Sequence, residues 1–164
     1  MGNYYDGTKL LSLTDINGNR PEIYMCTTNR TGGKTTYFER LVVNRFLDKR
    51  EKFGLLYRCG YAVSINSADQ VKKNSHFFSD VKRLIFDEFQ SESNTYCPNE
   101  IKKFISVHTS MARGQGEQNR YLPVYMLSNP VSIINPYYVE LGISSRLTDE
   151  TRFLRGDGFV LEQG

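Results

Sequence analysis

An apolar run at Ile23 to Thr28 is followed at once by the glycine turn Thr31-Gly32-Gly33, and then by Phe38, Leu41, Val42 and Phe46 at helical spacing. A strand that turns tightly into an amphipathic helix is a unit from which parallel sheets are built. The alternation recurs along the chain. Phe53 to Tyr57 and Arg83 to Phe86 read as strands, and Pro98 opens a helix with Ile101, Phe104, Ile105 and Met111 on one face. Tyr121 to Leu127 reads as another strand, and Thr151 to Glu162 as one or two more. Tyr61 to Ile65 alternates weakly, and Asn66 to Asp80 is polar enough for a loop or short helix. The expectation is an α/β fold with a mainly parallel central sheet flanked by helices. At 164 residues, 39% hydrophobic and 24% charged, a single domain over 1–164 suffices.

Composition excludes several classes. No apolar run approaches the ~20 residues that cross a bilayer, and Met1 to Lys9 lacks the basic and apolar regions of a leader, so an intracellular, soluble protein is expected. Cys26, Cys59 and Cys97 are an odd, unpaired set, and with two histidines the metal-cluster readings are poor. A formal charge of +3 is compatible with a polyanionic partner without demanding one.

The chemistry gathers at three strand ends. Thr28-Asn29-Arg30-Thr31-Gly32-Gly33-Lys34-Thr35 matches a phosphate-binding Walker A loop in its second half, with Thr28 where glycine is usual. Glycines let successive backbone N–H groups turn toward phosphate oxygens, and the helix that follows presents its positive end to the same anion. Asn29, Arg30, Thr31, Gly32 and Gly33 would line the loop. Lys34 would reach the β/γ-phosphates, and Thr35, ahead of Thr36, would offer its hydroxyl to Mg²⁺. In Leu84-Ile85-Phe86-Asp87-Glu88, Asp87 ends an apolar run as the metal-side carboxylate, and Glu88 is the candidate base for the attacking water. Val124-Tyr125-Met126-Leu127 ends in Ser128-Asn129-Pro130, so that Asn129 would sense the γ-phosphate or simply open a turn.

With these blocks, and with Leu127-Ser128-Asn129-Pro130-Val131-Ser132-Ile133-Ile134-Asn135-Pro136-Tyr137-Tyr138, the chain resembles the packaging ATPases of small tailed phages whose motors assemble on a structural RNA, relatives of terminase large subunits. The resemblance implies a three-layer RecA-like P-loop core of the additional-strand (ASCE) class, with ATP and Mg²⁺ as substrate and cofactor. It further implies a homo-oligomeric ring below the portal of a prohead, threading double-stranded DNA. The setting would be the cytoplasm of the infected bacterium, with transient residence on the prohead and none in the mature virion. Family members usually continue into a nuclease-like C-terminal domain, so this sequence looks like the isolated motor domain.

A ring implies an arginine supplied by a neighbour; the resemblance favours Arg152 in Thr151-Arg152-Phe153, with Arg146 as second candidate, and either reads also as an ordinary surface arginine. By the same resemblance Arg30 sits where terminases carry a loop arginine thought to respond to nucleotide state, or it simply neutralises phosphate charge. Lys102, Lys103 and Arg58 are candidates for DNA phosphates, although Lys102 and Lys103 read equally well as the solvated face of their helix and Arg58 could instead approach nucleotide. Tyr137 and Tyr138 suit packing better than base stacking. The competing readings are a filamentous-phage assembly ATPase or helicase, a non-catalytic nucleotide-binding module, and a small-molecule kinase.

Overall fold

The computed structural model describes residues 4–28, 33–39, 41, 62–113 and 119–164. Five strands, β1 (Ile23–Thr27), β2 (Leu84–Asp87), β3 (Val124–Leu127), β4 (Phe153–Gly156) and β5 (Phe159–Gln163), form one sheet in the order β2-β3-β1-β5-β4. β1 runs parallel to β3 and β5, and β2 parallel to β3; among the described residues only the β4–β5 hairpin is antiparallel. The first strand of the chain thus lies at the centre, and the alternation read from sequence produces the parallel sheet it implied.

The helices are α1 (Thr8–Ser12), α2 (34–39), α3 (Ala68–Lys73), α4 (Glu100–Arg113) and α5 (Pro136–Glu140). Successive strand side chains point to opposite faces. Met25, Met126 and Leu161 therefore pack with Tyr137 and Tyr138 of α5 and Ile101 and Phe104 of α4, whereas Tyr24, Cys26, Tyr125 and Val160 pack with Leu10 of α1 and Phe38 of α2. Both faces are covered, which is why β1 and β3 read as unbroken apolar runs rather than as polar–apolar alternation. Tyr137 and Tyr138 are core residues, each 2% exposed.

Several boundaries differ from the sequence reading. α4 begins at Glu100 rather than Pro98, because Asn99 adopts a left-handed backbone (φ 54°) that a helix cannot include. Ile105, expected inward, is 49% exposed. β3 starts at Val124 and not Tyr121, since Pro123 has no N–H to give a ladder; its carbonyl instead accepts from Leu84 N at 2.9 Å. The polar stretch after residue 64 folds as a 3₁₀ turn, Ile65–Ser67, and α3, with no strand at 62–65. The expected strand at 53–57 lies outside the described residues.

The turn before β1 is held by a buried carboxylate. Asp15 accepts from the backbone N–H groups of Asn17 (2.9 Å), Asn19 (2.8 Å) and, across to the β4–β5 turn, Gly158 (2.9 Å). Burial opposes its ionisation, but those bonds and the Arg155 charge outweigh it and hold the carboxyl below the ordinary aspartate range. A depressed folded pKa stabilises the fold above the unfolded value near ~3.9 and is lost as pH falls through the folded value. Asp15→Ala should therefore lower the melting temperature at pH 7, and the gap to wild type should narrow in melts taken below about pH 4.

Candidate functional site

The carboxyl ends of β1, β3 and β2 lie level, because Cys26 pairs with Leu127 and Leu127 with Asp87 in register. Each strand therefore delivers its next residues to one place, the crevice where open α/β sheets bind ligands. From β1 the chain passes through the loop into α2, whose first helical residue is Lys34. Gly33 has φ 73°, a conformation open to glycine, and its carbonyl accepts from Tyr37 N at 3.0 Å, which starts the helix.

Lys34 is 6% exposed, and its ammonium donates to Thr28 O and to Asn129 Oδ1, each at 3.0 Å. Burial pushes its pKa down, countered by the Cys26 thiol and by the carboxylates of Asp87 and Glu88. Among the described residues the acceptors of this buried cation are neutral oxygens, which leave its charge for an added anion to balance, so the donor set fits a phosphate. Thr35 is half-buried in the first turn of α2, and Thr36 is exposed.

Asp87, at the end of β2, is exposed, and its Oδ1 accepts from Glu88 N at 3.0 Å. Glu88 has φ 55°, left-handed and uncommon for a residue with a Cβ, which turns the chain abruptly out of the strand. Among the described residues no group of three or more His, Cys, Asp or Glu could hold a metal by itself. Asp87 and Thr35 fit Mg²⁺ only in the manner of a site completed by water and by phosphates of a bound nucleotide.

Between the ends of β2 and β3 lies a cleft of about 280 Å³ lined by Glu88, Gln90, Glu92, Ser93, Ser128 and Asn129. Asn129 spans the site, since its Oδ1 faces Lys34 while its Nδ2 donates to Glu92 Oε1 at 3.4 Å. Gln90, absent from the sequence reading, is 3% exposed and ties the two strand exits together. Its Oε1 accepts from Val131 N (3.0 Å) and Ser132 N (3.1 Å), while its backbone N donates to Ser128 Oγ at 3.3 Å. No local pattern marks it, because a glutamine in a Ser/Asn-rich stretch reads as loop until the loop it holds is known.

Lys34, Glu88 and Asn129 come together with Asp87 and Thr35 around the strand ends, and the other candidates do not join them. Asn29, Arg30, Thr31, Gly32 and Arg58 lie outside the described residues. Arg152 pairs with Glu162 of its own chain at 3.1 Å, and Glu162, 3% exposed, also accepts from Tyr5 Oη at 2.7 Å. Arg146 is exposed and donates to Arg155 O at 2.8 Å. Lys102 is exposed on α4, whereas Lys103 reaches back to Asn66 Oδ1 at 3.0 Å, a brace between α4 and the 3₁₀ turn.

Comparison with known proteins bears on the family and the fold. The family described as podovirus DNA encapsidation protein (Gp16) matches residues 58–155. A DNA packaging protein of Bacillus phage B103 is 34% identical over 86 residues, 51% of this chain and 25% of that protein, so the chain spans about a quarter of the relative's length. The crystal structure of the N-terminal domain of the DNA packaging ATPase from bacteriophage phi29 superposes with a TM-score of 0.73, covering 98% of this chain and 96% of that one at 20% identity. The phi-28 gp11 DNA packaging motor gives 0.68, over 98% of this chain and 59% of that one, at 18% identity. At such identities the likeness is one of fold.

Proposed function

The chain belongs to the family of podovirus DNA encapsidation proteins, and from that premise we propose that it is an ATP-hydrolysing motor domain that drives double-stranded viral DNA into a prohead. One observation carries the reading: the buried ammonium of Lys34, 3.0 Å from both Thr28 O and Asn129 Oδ1, at the head of α2 beside the strand end that bears Asp87 and Glu88. The finer fold assignment, a RecA-like P-loop core of the additional-strand class over a single domain at 1–164, rests on the same strand-to-helix placement. The assembly proposed is a homo-oligomeric ring at the portal, in contact with DNA and the prohead's structural RNA, acting in the infected host's cytoplasm. Among the described residues no helix is long and apolar enough to cross a membrane.

The residues divide the labour of phosphoryl transfer. Lys34 and the α2 amino end would take the charge of the terminal phosphates; Thr35 and Asp87 would hold Mg²⁺, which would neutralise the phosphate oxygens. Glu88 accepts the proton of the attacking water, and Asn129, released from Lys34, donates to the γ-phosphoryl group through its amide.

Arg152, immediately before β4, is separated from Asp87 by β3, β1 and β5. In this chain its guanidinium is held by Glu162 at 3.1 Å, on its own β5. A head-to-tail ring would bring the β4 edge of one subunit to the site of the next, a heterologous contact that closes by rotation. Arg152 would leave Glu162 to do this, and Arg146 would leave the Arg155 carbonyl. MgATP turnover measured against protein concentration tests the proposal. Specific activity should rise with concentration, and an alanine substitution at the working arginine should lower it by ~10³. Mixing that variant with a Lys34→Ala chain should restore part of the activity, since each supplies what the other lacks. Nucleotide binding with no turnover at any concentration would leave a binding module in place of a motor.

A further inference from the structure

The opposite end of the sheet carries a second feature. Arg20 precedes β1, Lys82 and Arg83 precede β2, and Arg120 and Tyr121 precede β3, three strands that lie side by side. Their side chains line one open groove of about 550 Å³, floored by Tyr24 and Tyr125, with no carboxylate among the described lining residues. With strands about 4.8 Å apart, the cations are spread over about 10 Å along the amino edge, and the strand length separates them by about 15 Å from Lys34 and Glu88.

The groove is prepared rather than incidental. The Arg20 guanidinium lies 3.5 Å from the centroid of the Tyr121 ring, and Tyr121 is itself anchored through its hydroxyl to Pro21 O at 2.5 Å. A guanidinium stacked on a fixed ring keeps its N–H edge for an oxyanion and loses little freedom on binding one. Arg83 donates to Leu41 O at 3.2 Å, and Arg120 donates to Phe78 O and Met111 O, each at 3.0 Å, and to Val81 O. Those two form the cationic back wall, while Arg20 and Lys82 are exposed at its rim.

We propose that this amino-edge groove binds the phosphodiester backbone of a nucleic acid. Two exposed cations at the rim, two more behind them and an aromatic face suit a line of phosphates better than a single small anion. In a family that encapsidates DNA such a polymer is the charged ligand at hand. Genomic duplex and a structured RNA share this chemistry, and the test separates them. The proposal stands apart from the nucleotide reading, because none of these residues lines the Lys34 site.

Fluorescence anisotropy of a labelled DNA duplex and of a labelled RNA hairpin, each titrated with the whole chain over a range of salt, compares wild type with Arg20→Glu/Lys82→Glu. The expected result is an affinity at least about tenfold weaker at 0.1 M salt, and a log–log salt slope shallower by about 2, for whichever polymer is the ligand. Loss in the DNA arm alone identifies the genome, loss in the RNA arm alone a structural RNA, and loss in both a shared backbone site. Lys72→Glu/Lys73→Glu on α3, outside the groove, should leave binding near wild type. Arg20→Gln/Lys82→Gln, with an unchanged melting temperature, guards against misfolding and should show the same slope change. The proposal is overturned if neither polymer's slope changes, if wild type binds neither, or if the α3 variant loses as much. ATP affinity should stay unchanged throughout, so a failure here is distinguishable from a failure of the nucleotide site.

Discussion

Glu88→Gln should slow MgATP turnover by ~10²–10⁴ while nucleotide affinity stays within about threefold of wild type. The amide keeps the volume and the exposed position at the mouth of the cleft but cannot accept a proton, so the loss falls on the chemical step. Steady-state kinetics paired with equilibrium binding of a non-hydrolysable nucleotide separates the two. Glu92 lines the same cleft and supplies the internal control. If Glu88→Gln turns over normally and Glu92→Gln does not, the base has been misassigned by one turn of loop. If neither variant is impaired, the catalytic reading of the cleft fails.

Phe38→Ala should destabilise the fold by ~3–5 kcal/mol. Phe38 is fully buried on the sheet-facing side of α2, with its ring centroid 5.1 Å from that of Tyr125, 5.2 Å from Tyr37 and 5.9 Å from Tyr5. Truncation removes the anchor that presses α2 onto the sheet, and Lys34 lies one turn away on the same helix. Urea denaturation should show the loss, and nucleotide affinity should fall along with it. Phe38→Leu, which keeps most of the volume, should cost roughly 1–1.5 kcal/mol and spare the affinity. A Phe38→Ala variant that loses stability yet binds nucleotide as wild type does would mean that Lys34 is positioned by the loop and not by the helix.

What the sequence made readable was local. β1 could be read because a strand buried on both faces must be apolar throughout, and the passage into α2 because glycine there has a conformational reason. Lys34 was legible as the lysine of a phosphate-binding loop and Asn129 as a polar residue past a strand end; their meeting follows from parallel register, which periodicity implies and does not fix. Arg152 illustrates the limit. Its ion pair needs Glu162 to face inward from β5, and Glu162 is buried because Tyr5, 157 residues away in sequence, covers it. No pattern within either segment carries that information. Ile105 fails for a related reason, since helical spacing gives the hydrophobic stripe but not how much of it a neighbouring element covers.

The bonds of Lys34 bear on the timing of any nucleotide cycle run through this cradle. An ammonium that already has Thr28 O and Asn129 Oδ1 as acceptors would give them up when a phosphate enters and regain them when it leaves. The departing anion therefore abandons no bare buried charge, and the barrier to letting go is lower than in a cradle with nothing to fall back on. Affinity would be held down by the same competition. For a machine that must release as often as it grips, a site that is its own weak competitor favours frequent exchange over tight retention.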